Sequence, residues 1–300
     1  MIPAPRQKTS QMKEQRAKRR IERILSRSLP TRRGRRVVLC YHSIHPSKGF
    51  ASATPVLFEE QIEWLQDHCE IVSFSSISQL PPAANGDRPV VAITFDDGYA
   101  DNHAYALPIL LAHDVRATIF VTTGLLDRDP EVVDRFRRLW SASTDEVRGL
   151  SWSQVSELRE SGFEIGAHTR SHPKLSMIGE ARAAEEISSS KATIEDHLEE
   201  PVLVFAYPFG KPREHLSEET VALVGRSGFD SAATVSYRGV RKDEDPLTIP
   251  RFPISQDNLD VFSGKINGKL DAIALWQEHA PLRIARLFAS DPARPADEDR

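Results

Sequence analysis

The stretch TFDDGY, residues 94–99, sets Asp96 and Asp97 side by side where an apolar run, VVAITF, comes to an end. Adjacent carboxylates repel, and near low-dielectric surroundings each loses hydration that only a cation or a firm donor replaces. A positive partner is therefore expected close by. Downstream, in FEIGAHTRSHP, His168 and His172 stand four residues apart. Neutral imidazoles bind zinc and related divalent ions well, and two of them leave room for a carboxylate and a water. The β-type residues before His168 and the proline after His172 put the pair on a loop or a single turn. One aspartate would then bind the ion while the other handles protons. Read separately, the histidines would cap or pack and the aspartates would salt-bridge to surface arginines. Read together, the two motifs favour a metal site.

Residues so far apart need a scaffold to bring them together. From residue 37 onward short β-type runs alternate with helical patterns. Strands are expected at RRVVLCYHSI, VVAITF, RATIFV, FEIGAH, VLVFAY, FDSAATV and LTIP. Helices are expected near 55–68, from Asn102, and at 151–161, 180–199 and 217–227, with a final pair at 258–266 and 270–289. Such alternation implies parallel strands with helical crossovers, either a barrel or a doubly wound sheet. Both architectures gather working residues at the C-terminal ends of strands, where these motifs fall. Asp96 and Asp97 would face opposite sides of a continuing strand, but Gly98 permits a turn that brings both to one mouth. Residues 125–150 form an insertion with Val132, Val133, Phe136, Leu139 and Trp140 at helical spacing. It reads as an outer helix, with a cover over the site as the alternative.

The 300 residues are 40% hydrophobic and 27% charged, values of an ordinary globular chain that argue against wholesale disorder. No apolar run approaches the roughly 18–20 residues of a spanning helix. Cys40 and Cys69 supply neither a disulfide framework nor zinc-knuckle spacing, and Cys40 reads as a small core residue of a strand. The net charge of −4 is unevenly distributed: thirteen Lys or Arg against Glu14 and Glu22 give residues 1–36 a charge of +11. Three parts follow: a basic arm, 1–36, partly disordered or helical; a barrel with C-terminal helices, 37–290; and a disordered tail, 291–300. The arm reads as a solvated tail whose Ile21, Ile24, Leu25 and Leu29 stripe offers peripheral membrane contact. The acidic body argues against nucleic acid. The N-terminus lacks an apolar h-region, so a cytoplasmic location is expected.

TFDDGY, HTRSHPKLS and FAYPFG occur in that order, with LCYHSI ahead and LTIPRFPI behind. Over residues 37–255 this set resembles the polysaccharide deacetylases, carbohydrate esterase family four. The resemblance implies a distorted (β/α) barrel of about seven parallel strands, of NodB-homology type. It also implies one divalent metal ion, Zn²⁺ foremost with Fe, Co, Ni or Mn as alternatives, and hydrolysis of an acetyl group, N-acetyl first, on a carbohydrate. Carried over residue by residue, Asp97, His168 and His172 match the metal triad and Asp96 the general base that takes a proton from the attacking water. The backbone N–H of Phe209, after Pro208, matches the oxyanion donor. His42 resembles the histidine of members with a permuted motif order, where the general acid precedes the DD motif. Many members carry an arginine in the third motif to pair with the base; Ala206 stands at that place here, and Arg251, in IPRFP, is the expected substitute.

Two other readings compete: a hydrolase of a non-sugar amide or ureide on the same fold, and a non-catalytic carbohydrate-binding homologue. An intact DD pair beside HxxxH speaks against the second, because a dead site has no need of a metal triad with a free base. Tyr99, Trp140, Trp152 and Tyr207 are the candidate sugar platforms. With a cytoplasmic location, a glycan precursor is the expected substrate. The oligomeric state is open.

Overall fold

The computed structural model describes residues 34–77, 79–80 and 88–271. Residues 1–33 of the basic arm, most of the helix expected at 270–289, and the 291–300 tail lie outside the described residues. The described residues hold eight strands: β1 Arg36–Tyr41, β2 Glu70–Val72, β3 Val90–Phe95, β4 Thr118–Val121, β5 Glu164–Ala167, β6 Val204–Ala206, β7 Ser231–Ala233 and β8 Phe252–Pro253. They run β7-β6-β5-β4-β3-β1-β8, with β2 alongside β3, and every pairing is parallel. β3 is shared: its first half pairs with β2 and its second half with β4.

Helical crossovers connect these strands, and local chemistry sets their ends. Thr54 caps Pro55–His68 by accepting from Leu57 N–H, Ser151 and Gln154 form a capping box on Trp152–Glu160, and Ser217 caps Glu218–Arg226. Expected and observed helices agree within a residue or two at these positions, at Glu180–Leu198 and at Leu259–Ile266. The segment beginning at Asn102 differs. It opens with a π-helical turn, Asn102–Ala106, before Leu107–Ala112. Pro108 has no N–H to donate to the fourth residue back, which loosens the ladder just ahead of it.

Strand alternation divides the core. Leu39, Tyr41, Ile93, Phe95, Ile119, Val121 and Phe205 pack beneath the helices with Phe58, Ile62, Leu107, Val155 and Ile187. The other phase holds Val38, Ala92, Phe120, Val204, Ala206, Ala233 and Ile249, plugged at one end by Phe74 and Ile77. Cys40, Thr94, Asp96, Gly166 and His168 continue this inner phase toward the C-terminal ends. Polar side chains thus replace apolar ones where the strands end.

Two details depart from the sequence reading. β1 ends at Tyr41, so His42 lies one residue beyond the strand instead of on it. LTIP is not a strand: Asp245 caps a 3-10 turn, Pro246–Thr248, and Pro250 cannot donate to a ladder. The chain from Ile249 to Ile254 instead ties the two ends of the sheet together. Ile249 bonds to Ala232 and Thr234 on the β7 side, while Phe252 pairs with Leu39 and Ile254 N–H donates to Cys40 on the β1 side. Arg251 accordingly precedes a strand and does not end one.

Gly166 shows how tightly the inner phase is filled. A Cβ there would meet Phe120 carbons at 2.5 and 2.6 Å and a Val204 methyl at 2.8 Å. Gly166→Ala is expected to destabilise by about 1–3 kcal/mol through overpacking. Thermal unfolding should show a midpoint lower by several degrees; an unchanged midpoint would mean that the lumen can yield.

Candidate active site

Left-handed backbone recurs at each of the three motifs. Asp97 (φ 72°) and Gly98 (76°) turn the chain after β3; Thr169 (65°) and His172 (57°) shape the loop after β5; Phe209 (61°) and Gly210 (57°) follow β6. For non-glycine residues this conformation costs on the order of 1–3 kcal/mol each and persists only when the surroundings hold it. Here the turn at Asp97 swings its carboxylate to the same mouth as Asp96.

Asp97 Oδ1 lies 3.6 Å from His168 Nε2 and 3.5 Å from His172 Nε2. All three side chains are buried. His168 Nδ1 is 2.7 Å from the Ala206 carbonyl, so this nitrogen carries the proton and leaves the Nε2 lone pair facing Asp97. His172 is held by its backbone N–H, which donates to Thr169 Oγ1 (3.0 Å), and by the rings of Phe209 and Phe136 at 4.8 and 5.2 Å. Burial lowers the His168 pKa to about 4 and that of His172 well below its ordinary value, which keeps both imidazoles neutral. Burial, and then repulsion from Asp96, raises Asp97 well above the carboxylate range.

These groups converge as acceptors with no donor between them. Asp97 Oδ1 is a buried oxygen without a hydrogen-bond partner. Nitrogen and oxygen ligands at about 2.0–2.2 Å from a tetrahedral zinc would stand about 3.4 Å apart. The observed separations fit, so Asp97, His168 and His172 form a group able to hold a divalent ion.

Asp96 is treated differently. Arg251, fully buried, donates Nη1–H to Asp96 Oδ1 (2.6 Å) and to Thr94 Oγ1 (2.9 Å), Nη2–H to Asp96 Oδ2 (2.7 Å) and Nε–H to the Thr234 carbonyl (3.2 Å). Burial alone would raise the Asp96 pKa. The charge of Arg251 and its two guanidinium bonds outweigh it and hold this carboxyl far below the usual range. A ring nitrogen of His42 lies within 4.8 Å of the Asp96 carboxylate, and Phe209 stands on the opposite side against His172. All seven residues singled out in the sequence therefore meet at one mouth.

Asp101 and Phe50 were not foreseen. Asp101 pins the loop after His42, accepting from Ser43 Oγ (2.7 Å), Ile44 N–H (3.3 Å) and Lys48 Nζ (2.7 Å). The insertion helix, Pro130–Trp140, does more than cover the outside. Phe136 touches His172, Trp140 stacks on Phe50 at 5.3 Å, and its ring lies 6.1 Å from that of His42. The apolar spacing of this helix was visible; the direction it faces was not.

A distorted parallel (β/α) barrel with this mouth defines a NodB-type deacetylase fold. Residues 83–230 match the family model of the polysaccharide deacetylases. The chain is 25% identical to YxkH of Bacillus subtilis (strain 168) over 221 residues, 73% of this chain and 71% of that protein. Among solved structures it is similar to the Streptococcus pyogenes deacetylase PplD in complex with acetate, with a TM-score of 0.64 and 22% identity over 78% of this chain and 98% of that one. A second is BC0361, a polysaccharide deacetylase from Bacillus cereus, with a TM-score of 0.62 and 24% identity over 77% and 69% of the two chains. No helix among the described residues is long and apolar enough to cross a membrane.

Removing one member of a buried ion pair strands the other, at about 3–5 kcal/mol. Arg251→Met in chelator-treated protein is expected to lose that much in urea unfolding. Asp96→Asn combined with Arg251→Met should lose about 1–3 kcal/mol less than the sum of the single changes. Strict additivity would show that the fork carries no coupling.

Proposed function

We propose that this chain hydrolyses an acetyl group, N-acetyl foremost, from a carbohydrate, with Asp97, His168 and His172 as the ligands of one divalent ion, Zn²⁺ first among candidates. The observation that carries the reading is the pair of 3.5 and 3.6 Å separations around an undonated carboxylate oxygen, with a second, ionised carboxylate alongside. A divalent ion held there would polarise the acetyl carbonyl and acidify the attacking water.

Asp96 accepts that water's proton. Its carboxyl is a weak base because Arg251 holds it so firmly ionised, and the same weakness lets it give the proton up again. His42, within reach of Asp96, passes a proton to the departing amine, so that one water and one amide become acetate and a free amine. Phe209 offers its backbone N–H to the developing oxyanion. Phe50 and Trp140, both partly exposed and backed by the buried Tyr99, supply an aromatic wall suited to a sugar face. Trp152 instead stacks on His197 and Tyr207 bonds to the Leu247 carbonyl, so neither belongs to this wall.

The deciding experiment is acetate release from a panel of N-acetylated sugars and polymers, with and without a chelator. Release that the chelator stops and zinc restores is expected; release indifferent to the chelator would end the metal reading. Asp96→Asn should lower turnover at least about 100-fold while metal content stays at one equivalent. His172→Ala should lose both activity and metal. Equal metal loss in the two variants would exchange the roles of the two aspartates.

A further inference from the structure

Cys40 belongs to the inner phase of β1 and is fully buried. Its Sγ lies 3.4 Å from Asp96 Oδ2. Together with a ring nitrogen of His42, these atoms form a set in which every pair is within 4.8 Å. Thiolate, imidazole and carboxylate make a donor set for zinc and its thiophilic neighbours, whereas hard ions such as Mg²⁺ prefer oxygen alone. Sulfur and oxygen bound tetrahedrally to one zinc, at about 2.3 and 2.0–2.2 Å, stand about 3.5 Å apart. The separation present in the fold already matches.

We propose that Cys40, His42 and Asp96 form a second divalent-metal site, selective for thiophilic ions, whose filling inhibits the enzyme. It shares no ligand with Asp97, His168 and His172, although Asp96 Oδ2 comes within 4.0 Å of His168 Nε2. Arg251 does not close it. A carboxylate offers about four lone pairs, and the guanidinium occupies one on each oxygen. Cys40 releases its proton to solvent on binding, and its thiolate offsets part of the charge of the ion, the Asp96 charge being shared with Arg251. Entry is past His42, the one partly exposed member of the set. A filled second site takes the proton acceptor and the neighbouring imidazole out of the reaction. That consequence rests on the roles given to Asp96 and His42 above, whereas the binding itself does not.

Cobalt titration of the full chain tests the binding. Two equivalents are expected, the second accompanied by a near-ultraviolet charge-transfer band of a cobalt–thiolate bond. Cys40→Ala should abolish that band, and Cys69→Ala, which alters the other cysteine, should retain it. His42→Ala should weaken the second equivalent by more than about tenfold, a loss that even outer-shell partners commonly produce. One equivalent in total, a band that survives Cys40→Ala, or a second equivalent unmoved by His42→Ala would overturn the site. The His42 variant decides the matter if Cys40→Ala fails to fold. Acetate release should rise through the first equivalent of zinc and fall through the second, and the fall should be absent in Cys40→Ala. A wild-type rate that holds through two bound equivalents would overturn the inhibition. No release at any zinc level would instead refute the deacetylase reading, and the cobalt result would still stand or fall by itself.

Discussion

A single buried ion pair joins the architecture of this barrel to its chemistry. Arg251 sits on the segment that ties β7 to β1, and its side chain reaches Asp96 at the end of β3, with Thr94 and the Thr234 carbonyl taking its remaining donors. An isolated guanidinium or carboxylate at this depth would be too costly to keep charged, so each group is tolerable only with the other in place. The segment that brings the ends of the sheet together is therefore also the one that sets the charge of the mouth. Disturbing the pairing at Ile249 or Phe252 would displace Arg251, and the effect would reach Asp96 without any change to the motif itself.

Much of this was legible in the chain. Strand and helix periodicity carried the element order, because apolar residues at β spacing and capped helices leave local marks. The inner and outer phases of VVAITF follow from alternation alone, and a DD pair at a strand end beside HxxxH implied a cation before any atom was placed. What stayed hidden depends on long-range geometry. Arg251 could be nominated as a charge, yet its bidentate hold on Asp96 needs the β7-to-β1 closure, which no window around IPRFP contains. LTIP read as a strand because its residues favour one, and the 3-10 turn capped by Asp245 prevailed. The facing of Pro130–Trp140 likewise required Phe50 and Tyr99, which lie 30 to 90 residues away in the chain.

Strain is spent where it does positional work. Six left-handed residues in three loops lie at the mouth, four of them not glycine. Had the backbone run on in extended form after β3, Asp97 would face the helical layer and its charge would be lost in the core. The positive φ reverses that direction. At His172 the same device turns the ring back toward His168, and the flanking rings of Phe136 and Phe209 keep it there. Packing from the insertion helix thus offsets part of the conformational cost of the loop, which explains why an element outside the motifs bears on their geometry.

The two aspartates, alike in sequence, end in opposite states. Asp96 has a guanidinium fork and stays ionised; Asp97 has no donor on Oδ1, two neutral imidazoles before it and a like charge at its back. Had the fold required only stability, a donor to Asp97 or an apolar residue in its place would have removed the penalty. Neither stands at Oδ1, and His168 is held by the Ala206 carbonyl in the tautomer that turns a further lone pair toward the same point. Three acceptors focused on one spot repel one another until positive charge arrives. The arrangement suits a cation, and the asymmetry between the aspartates leaves one ionised carboxylate, Asp96, beside that point.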